Sequence, residues 1–164
     1  MLLTYIACFA VAMLIHEFGH LLAARVCRVP ATELGMGWGR RLFGFHLGGV
    51  EYKLHALPIG AYVRIDMAEL QRRPLSQQVT VLLAGIMVNL LAAVVAEGTP
   101  FGAMNLLLAA TNFLPLYQQD GWKCGMVCLR AVLARRSALV EWTFTLVGGG
   151  LSLVLFLTQI VKSL

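Results

Sequence analysis

Four long apolar segments limit what this sequence can fold into. They cover residues 2–24, 79–96, 101–117 and 138–161, and the third is the shortest. A helix needs about 20 apolar residues to cross the hydrocarbon core of a bilayer, where its backbone hydrogen bonds are satisfied internally. We therefore expect an all-α polytopic membrane protein with about four transmembrane helices in a single domain over residues 1–164. No Lys or Arg precedes the first segment, so a cleaved signal peptide is not expected.

The composition excludes an ordinary soluble domain, and the basic residues are unevenly placed. The chain is 59% hydrophobic and 13% charged, whereas soluble domains are about half apolar and a quarter charged. Of the 13 Lys and Arg residues, eight lie between the first and second segments and four between the third and fourth. The positive-inside rule puts both basic loops in the cytoplasm of a multi-pass inner (plasma) membrane protein. No stacking aromatics are interleaved with these charges, so the expected environment is a lipid bilayer and no nucleic-acid partner is expected.

The first basic loop contains the pattern of a β-hairpin. Val50, Tyr52 and Leu54 alternate with polar residues directly after Gly48-Gly49. Alternation with period two next to a two-residue glycine connection is a strong short-range hairpin signal. A tight turn would place His46 opposite Glu51. We expect a small cytoplasmic β-hairpin insertion over about residues 33–65.

Three ionisable residues stand inside the first apolar segment. His16, Glu17 and His20 form the pattern H-E-x-x-H. On a helix, side chains four residues apart lie on one face, so both imidazoles can reach one zinc ion. Glu17 can accept a proton from a water that the metal activates. Ionisable groups in an apolar helix are costly and usually functional, which favours a metal centre over three side chains satisfied by neighbouring helices.

A catalytic zinc site usually has a third protein ligand, which must come from elsewhere in the chain. The candidates are Glu33, Glu51, Asp66, Glu69, Glu97, Asp120, Glu141, His46 and His55. Glu97 is predicted at the opposite membrane face, and most of the others fall in the soluble loop. Asp120 follows the third segment on the expected face, after Pro115, which can end a helix. Asp120 is our predicted third ligand; the alternative is a helix N-cap for the segment that follows.

Several motifs together resemble the site-2 protease family of intramembrane zinc metalloproteases. Residues 16–20 read HEFGH, and residues 112–121 read NFLPLYQQDG, similar to the N-x-x-P-x-x-x-x-D-G pattern of that family. Residues 85–89, GIMVN, are similar to its G-P-x-x-N segment. The resemblance runs in order along nearly the whole chain. The chain is similar to a minimal bacterial form related to RseP that lacks a PDZ domain.

The resemblance implies zinc ligands at His16, His20 and Asp120, and a catalytic base at Glu17. It implies an endopeptidase that hydrolyses peptide bonds within or next to transmembrane segments. The typical substrates are anti-sigma factors, membrane-bound precursors of transcription factors and remnant signal peptides. The alternative is a non-catalytic membrane protein, either a metal-binding protein or a pseudoprotease that binds clients.

The resemblance also implies that Asn89 and Asn112 contact the substrate near the metal. Hydrogen bonding between helices is the competing role for both amides. The chain departs from the family pattern at Ile86, where proline is usual. It departs again at Trp122 and Lys123, where a second glycine and an arginine are common.

Overall fold

The computed structural model describes residues 2–133 and 137–163 and contains six helices and two strands in these ranges. The elements are α1 (Leu2–Val26), β1 (Ala31–Leu47), β2 (Val50–Ile65), α2 (Met67–Arg72), α3 (Leu75–Val95), α4 (Pro100–Phe113), α5 (Asp120–Val132) and α6 (Ala138–Ser163). The predicted mainly helical fold with a small antiparallel hairpin is confirmed. Arg135 and Arg136, two of the basic residues assigned to the second cytoplasmic loop, lie outside the described residues.

Three described helices are long and apolar enough to cross a membrane. These are α1, α3 and α6, with candidate spans Leu3–Val26, Leu75–Val95 and Ala138–Thr158. The third predicted segment, 101–117, is different because α4 has only 14 residues. At 1.5 Å per residue α4 is about 21 Å long, which is shorter than the roughly 30 Å hydrocarbon core.

Pro115 explains why α4 ends early. The residue before a proline is driven out of the helical region, and Leu114 is extended, with φ −62° and ψ 143°. The chain then continues without regular structure to Gln118, which has a left-handed φ of 73°. This turn directs the chain into α5, whose first residue is Asp120. The break in the helix therefore determines where the predicted third ligand lies.

The two strands pair antiparallel around Gly48-Gly49. Both glycines have positive φ, 58° and 78°, as a type I′ turn requires. His46 lies opposite Glu51, as predicted for a tight turn. Residues 33–36 pair both with residues 51–54 and with residues 61–64, so each strand folds back and four stretches lie side by side.

One face of this sheet is apolar and packs against α1. Leu34 and Val50 form a buried cluster with Leu21 of α1, and Val63 and Tyr52 pack against it. Such apolar burial stabilises the junction by roughly 25 cal/mol per Å² of buried apolar surface. The sheet is thereby held beside the half of α1 that carries the histidines.

A chain of ion pairs crosses the sheet. Lys53 Nζ lies 3.2 Å from Glu33 and 3.0 Å from Glu51, two carboxylates that are opposite each other in the register. Arg41 extends the chain at Glu51 and Arg64 at Glu33. Lys53 therefore offsets the repulsion between two like charges on adjacent strands.

The helices pack around α1 and α3. A second buried cluster joins the end of α1 to α2, α3 and α5 through Ala24, Leu70, Val81 and Val127. Gly19 in the HEFGH motif lets α3 approach closely, because a Cβ there would lie 2.9 Å from the Ala84 carbonyl oxygen. This contact brings α3 directly behind the two histidines.

The last helix is held against α5 and the chain before it. Arg130 makes a two-point ion pair with Glu141, at 2.8 and 2.9 Å. The backbone N–H of Tyr117 is within hydrogen-bonding distance of the Gly148 carbonyl and of Ser152 Oγ. The segment that leads to Asp120 is therefore fixed from both sides, by α4 and by α6.

Candidate metal centre

Helix α1 places His16 and His20 on the same face, and α5 brings Asp120 against them. His16 Nε2 lies 2.9 Å from Asp120 Oδ2, and His20 Nε2 lies 3.0 Å from the same oxygen. The two Nε2 atoms are 3.2 Å apart. All three residues are only 5% exposed. The N-cap of α5 is Gln119, so the alternative role of Asp120 as the cap is wrong.

The size of this triangle fits a small divalent cation. Two ligands at 2.0–2.1 Å from a tetrahedral zinc ion are separated by about 3.3 Å. The observed edges of 2.9, 3.0 and 3.2 Å fall just short of that value. Within the described ranges, this trio is the one set of three His, Cys, Asp or Glu side chains whose ligand atoms all come within 4.8 Å of one another.

The hydrogen bonding of His20 calls for an added positive charge at this cluster. His20 Nδ1 lies 2.7 Å from the Val81 carbonyl oxygen, which only accepts, so Nδ1 carries the proton. A neutral ring then directs the Nε2 lone pair at the Asp120 carboxylate, another acceptor. The contact is favourable only with an added proton on the ring or a metal ion in between. A bond from the second ring nitrogen to a backbone carbonyl is the usual way to orient a metal-binding histidine.

The space in front of the two imidazoles exists because α3 has a glycine there. A Cβ at Gly85 would lie 2.5 Å from His20 Nε2 and 2.7 Å from His16 Nε2. Real Cβ atoms are essentially never this close to another heavy atom, so any larger residue would displace the histidines. At Gly85, therefore, α3 places no side-chain atom beside the two Nε2 atoms.

The second oxygen of Asp120 has its own partner. Lys123 Nζ lies 3.1 Å from Asp120 Oδ1, one turn further along α5. Burial alone would raise the pKa of the Asp120 carboxyl, but its hydrogen bonds with both imidazoles and the nearby ammonium hold that pKa well below its usual range. The carboxyl group of Asp120 is therefore deprotonated, the form in which this side chain binds a metal.

Two cavities reach this cluster from different sides. The larger, about 440 Å³, is lined by Glu17, His20 and Asp120 and by Val63–Ile65 of β2. The smaller, about 210 Å³, is lined by Glu17, His16 and Asp120 and by Asn112. Glu17 is common to both, and it lies outside the triangle of possible ligands. The arrangement offers three ligands, one carboxylate that is free to accept a proton, and access for a reactant.

Comparison with known families agrees with this geometry. The family model of peptidase family M50 matches residues 4–100, more than half of the chain. This chain belongs to peptidase family M50. The predicted resemblance to the site-2 proteases is thus confirmed. The matched region includes the HEFGH motif and Gly85 but ends before Asp120.

Individual relatives match parts of this M50 chain. The zinc metalloprotease RasP of Shouchella clausii is 41% identical over 64 residues, 39% of this chain and 15% of its own length. A provisionally named zinc metalloprotease of Fusobacterium nucleatum is 33% identical over 87 residues, 48% of this chain and 26% of its own. One from Neisseria meningitidis is 29% identical over 112 residues, 61% and 25% of the two chains. The chain spans about a quarter or less of the length of these curated relatives.

The two predicted substrate-contacting amides of the M50 chain lie in different surroundings. Asn112 lines the smaller cavity and donates from Nδ2 to the Leu108 carbonyl at 2.9 Å. Asn89 is fully buried and lines neither cavity. Neither of its side-chain polar atoms has a hydrogen-bond partner among the described residues.

Three residues at this centre were not predicted as part of it. Lys123 entered the sequence analysis only as a departure from the family pattern. Its position three residues after Asp120 on a helix is the signal that could have placed the two side chains together. Gln118 lines both cavities, and no sequence pattern marks its left-handed backbone. Gly85 belongs to a motif that was recognised, but its contact with the histidines depends on how α1 and α3 pack.

Proposed function

We propose that this chain is an intramembrane zinc endopeptidase that hydrolyses peptide bonds within or next to the transmembrane segments of membrane proteins. One observation carries the proposal. The buried cluster of His16, His20 and Asp120 is flanked by two cavities that share Glu17. A centre built only for storage or structure would have no need of a free carboxylate facing an open cavity. The zinc metalloprotease names of its relatives agree with this choice of metal.

The protein groups have separate roles in the proposed hydrolysis. Zinc held by His16, His20 and Asp120 would supply a Lewis acid that polarises the scissile carbonyl and makes water more acidic. Glu17 accepts the proton from the attacking water and later donates it to the leaving amine. Val81 keeps His20 in the tautomer that directs Nε2 toward the metal position. The proposed reaction is therefore transfer of the acyl group to water, with Glu17 acting first as the base and then as the acid.

The proposed orientation follows from charge. Arg25 and Arg28 flank the end of α1, and the positive-inside rule puts this end in the cytoplasm. His20 is six residues before Val26, about 9 Å along the helix axis. The centre then lies in the cytoplasmic half of an inner-membrane protein, where water reaches it over a short path. A total of four membrane crossings requires that α4 and the irregular residues that follow it together form the third crossing.

We further propose that substrate binds as an extended strand beside the sheet. Lipid offers no hydrogen-bond partners to an unwound helix, so the protein must supply them. Residues 42–57, around the Gly48-Gly49 turn, are one candidate for this role. Val63, Arg64 and Ile65 are the strand residues that line the cavity with Glu17, and this part of β2 is the better candidate.

Cleavage of a model single-pass substrate tests the function. Glu17→Gln removes the proton acceptor without changing size, so we expect cleavage to fall by about 100-fold or more. Zinc content should stay at one per chain, because Glu17 is not a ligand. Glu97→Gln is the matched control: Glu97 is exposed at the turn between α3 and α4, and the variant should cleave normally. Equal cleavage by wild type and Glu17→Gln would refute the base role, and a wild type that binds client without cleaving it would favour the non-catalytic alternative.

A further inference from the structure

The two oxygens of the Asp120 carboxylate face different partners. Oδ2 lies between His16 and His20, at 2.9 and 3.0 Å, and Oδ1 lies 3.1 Å from Lys123 Nζ. Among the described residues, no other donor reaches Oδ1 at hydrogen-bonding distance. The carboxylate is buried, so Lys123 is the group that satisfies its outer oxygen.

The fold fixes Lys123 beside this oxygen. Asp120 is the first residue of α5, and Lys123 follows three residues later on the same face. The Lys123 side chain is 37% exposed and lines both cavities, so its outer side reaches water while its ammonium remains at the carboxylate. In the smaller cavity it is the one cationic side chain among the described lining residues.

We propose that Lys123 is a positioning residue that holds Asp120 Oδ1 away from the metal, so that the carboxylate binds through Oδ2 alone. This inference rests on the proposed function. A carboxylate can bind a metal through one oxygen or through both. If Oδ1 lost the Lys123 donor, rotation of the carboxylate would bring the second oxygen to the ion.

The number of oxygens that bind decides whether the centre can act as a hydrolase. A catalytic zinc keeps one coordination position open beside three protein ligands. A carboxylate bound through both oxygens would occupy that position. Lys123 thus keeps the position available for water, although it does not contact the metal or the substrate carbonyl itself.

The visible absorption of cobalt(II) bound to the detergent-solubilised full chain reports the coordination number of the metal. Four-coordinate cobalt(II) absorbs visible light much more strongly than five- or six-coordinate cobalt. We expect strong absorption in wild type and in Lys123→Arg, which keeps the donor. In Lys123→Met we expect the visible absorption to fall severalfold at saturating cobalt. Lys162→Met, which removes an exposed lysine of α6, is the matched control and should resemble wild type.

The outcomes separate the two proposals. Cobalt uptake by Lys123→Met with an unchanged spectrum would overturn the positioning role. The positioning role would be supported if Lys123→Met lost cobalt binding and Lys123→Arg kept it, with unchanged circular dichroism of the metal-free protein. Asp120 would then fail as a ligand without its partner. A wild type that binds neither zinc nor cobalt would contradict the proposed function instead.

Discussion

Replacement of Gly85 by alanine tests the packing that creates the metal centre. The added Cβ would lie 2.5 Å from His20 Nε2 and 2.7 Å from His16 Nε2. These atoms must separate by at least 0.5 Å to reach the 3.0 Å below which real Cβ contacts are essentially never found. Ligand positions in a metal site tolerate only about 0.2 Å. The substitution should therefore displace at least one of the two histidine ligands.

We expect zinc affinity in Gly85→Ala to fall by about 10- to 100-fold, the range associated with changes to the groups that orient metal ligands. Overpacking should cost the metal-free protein about 1–3 kcal/mol of unfolding free energy, of which alanine recovers about 1 kcal/mol through helix propensity. Because the net cost in stability is small, we expect the loss of zinc affinity to come from the displaced histidines and not from unfolding of the protein.

Chelator competition in detergent micelles measures the affinity, and thermal unfolding of the metal-free protein measures the stability. Gly150→Ala is the matched control, because its new Cβ in α6 would have no neighbour within 4 Å. If Gly85→Ala binds zinc within threefold of wild type, the ion does not lie between these histidines, and the proposed centre is wrong.

Two further predictions concern α5. Zinc at 100 times its Kd should add about 3 kcal/mol to the free energy of unfolding, because it links α1 to α5 in the folded state only. Scanning calorimetry should show this gain in wild type and not in Asp120→Ala. An equal gain in both proteins would exclude Asp120 as a ligand. Burial beside Cys128 raises the pKa of the Cys124 thiol to about 11. The rate of Cys124 alkylation, followed by mass spectrometry, should therefore be low at pH 8 and rise toward pH 11. A midpoint of this rate profile near pH 9 would show that this face of α5 is open to water.

The sequence predicted the parts of this protein that depend on local patterns. Spacing alone placed His16 and His20 on one helical face, and the Gly48-Gly49 turn predicted the register of His46 with Glu51. These features depend on helical periodicity and on the positive φ values that glycine permits. The boundaries of α1, α3 and α6 differ from the predicted segments by only a few residues.

Features that depend on packing between distant elements could not be predicted in the same way. Hydropathy made residues 101–117 look like one apolar segment, whereas the effect of Pro115 on the preceding residue ends α4 at Phe113. The hairpin pattern did not reveal that residues 33–36 would pair with two stretches of β2. The role of Gly85 follows from the approach of α3 to α1, and no property of the residue itself indicates it.

The three candidate metal ligands are far apart in the order of synthesis. His16 precedes Asp120 by 104 residues. At about 5–20 residues per second, a ribosome needs roughly 5–20 seconds to add the intervening chain. A nascent molecule therefore has its first helix made well before it can hold an ion with all three ligands. During this interval the nascent chain lacks its third candidate ligand, so the proposed hydrolysis cannot begin before Asp120 has been added.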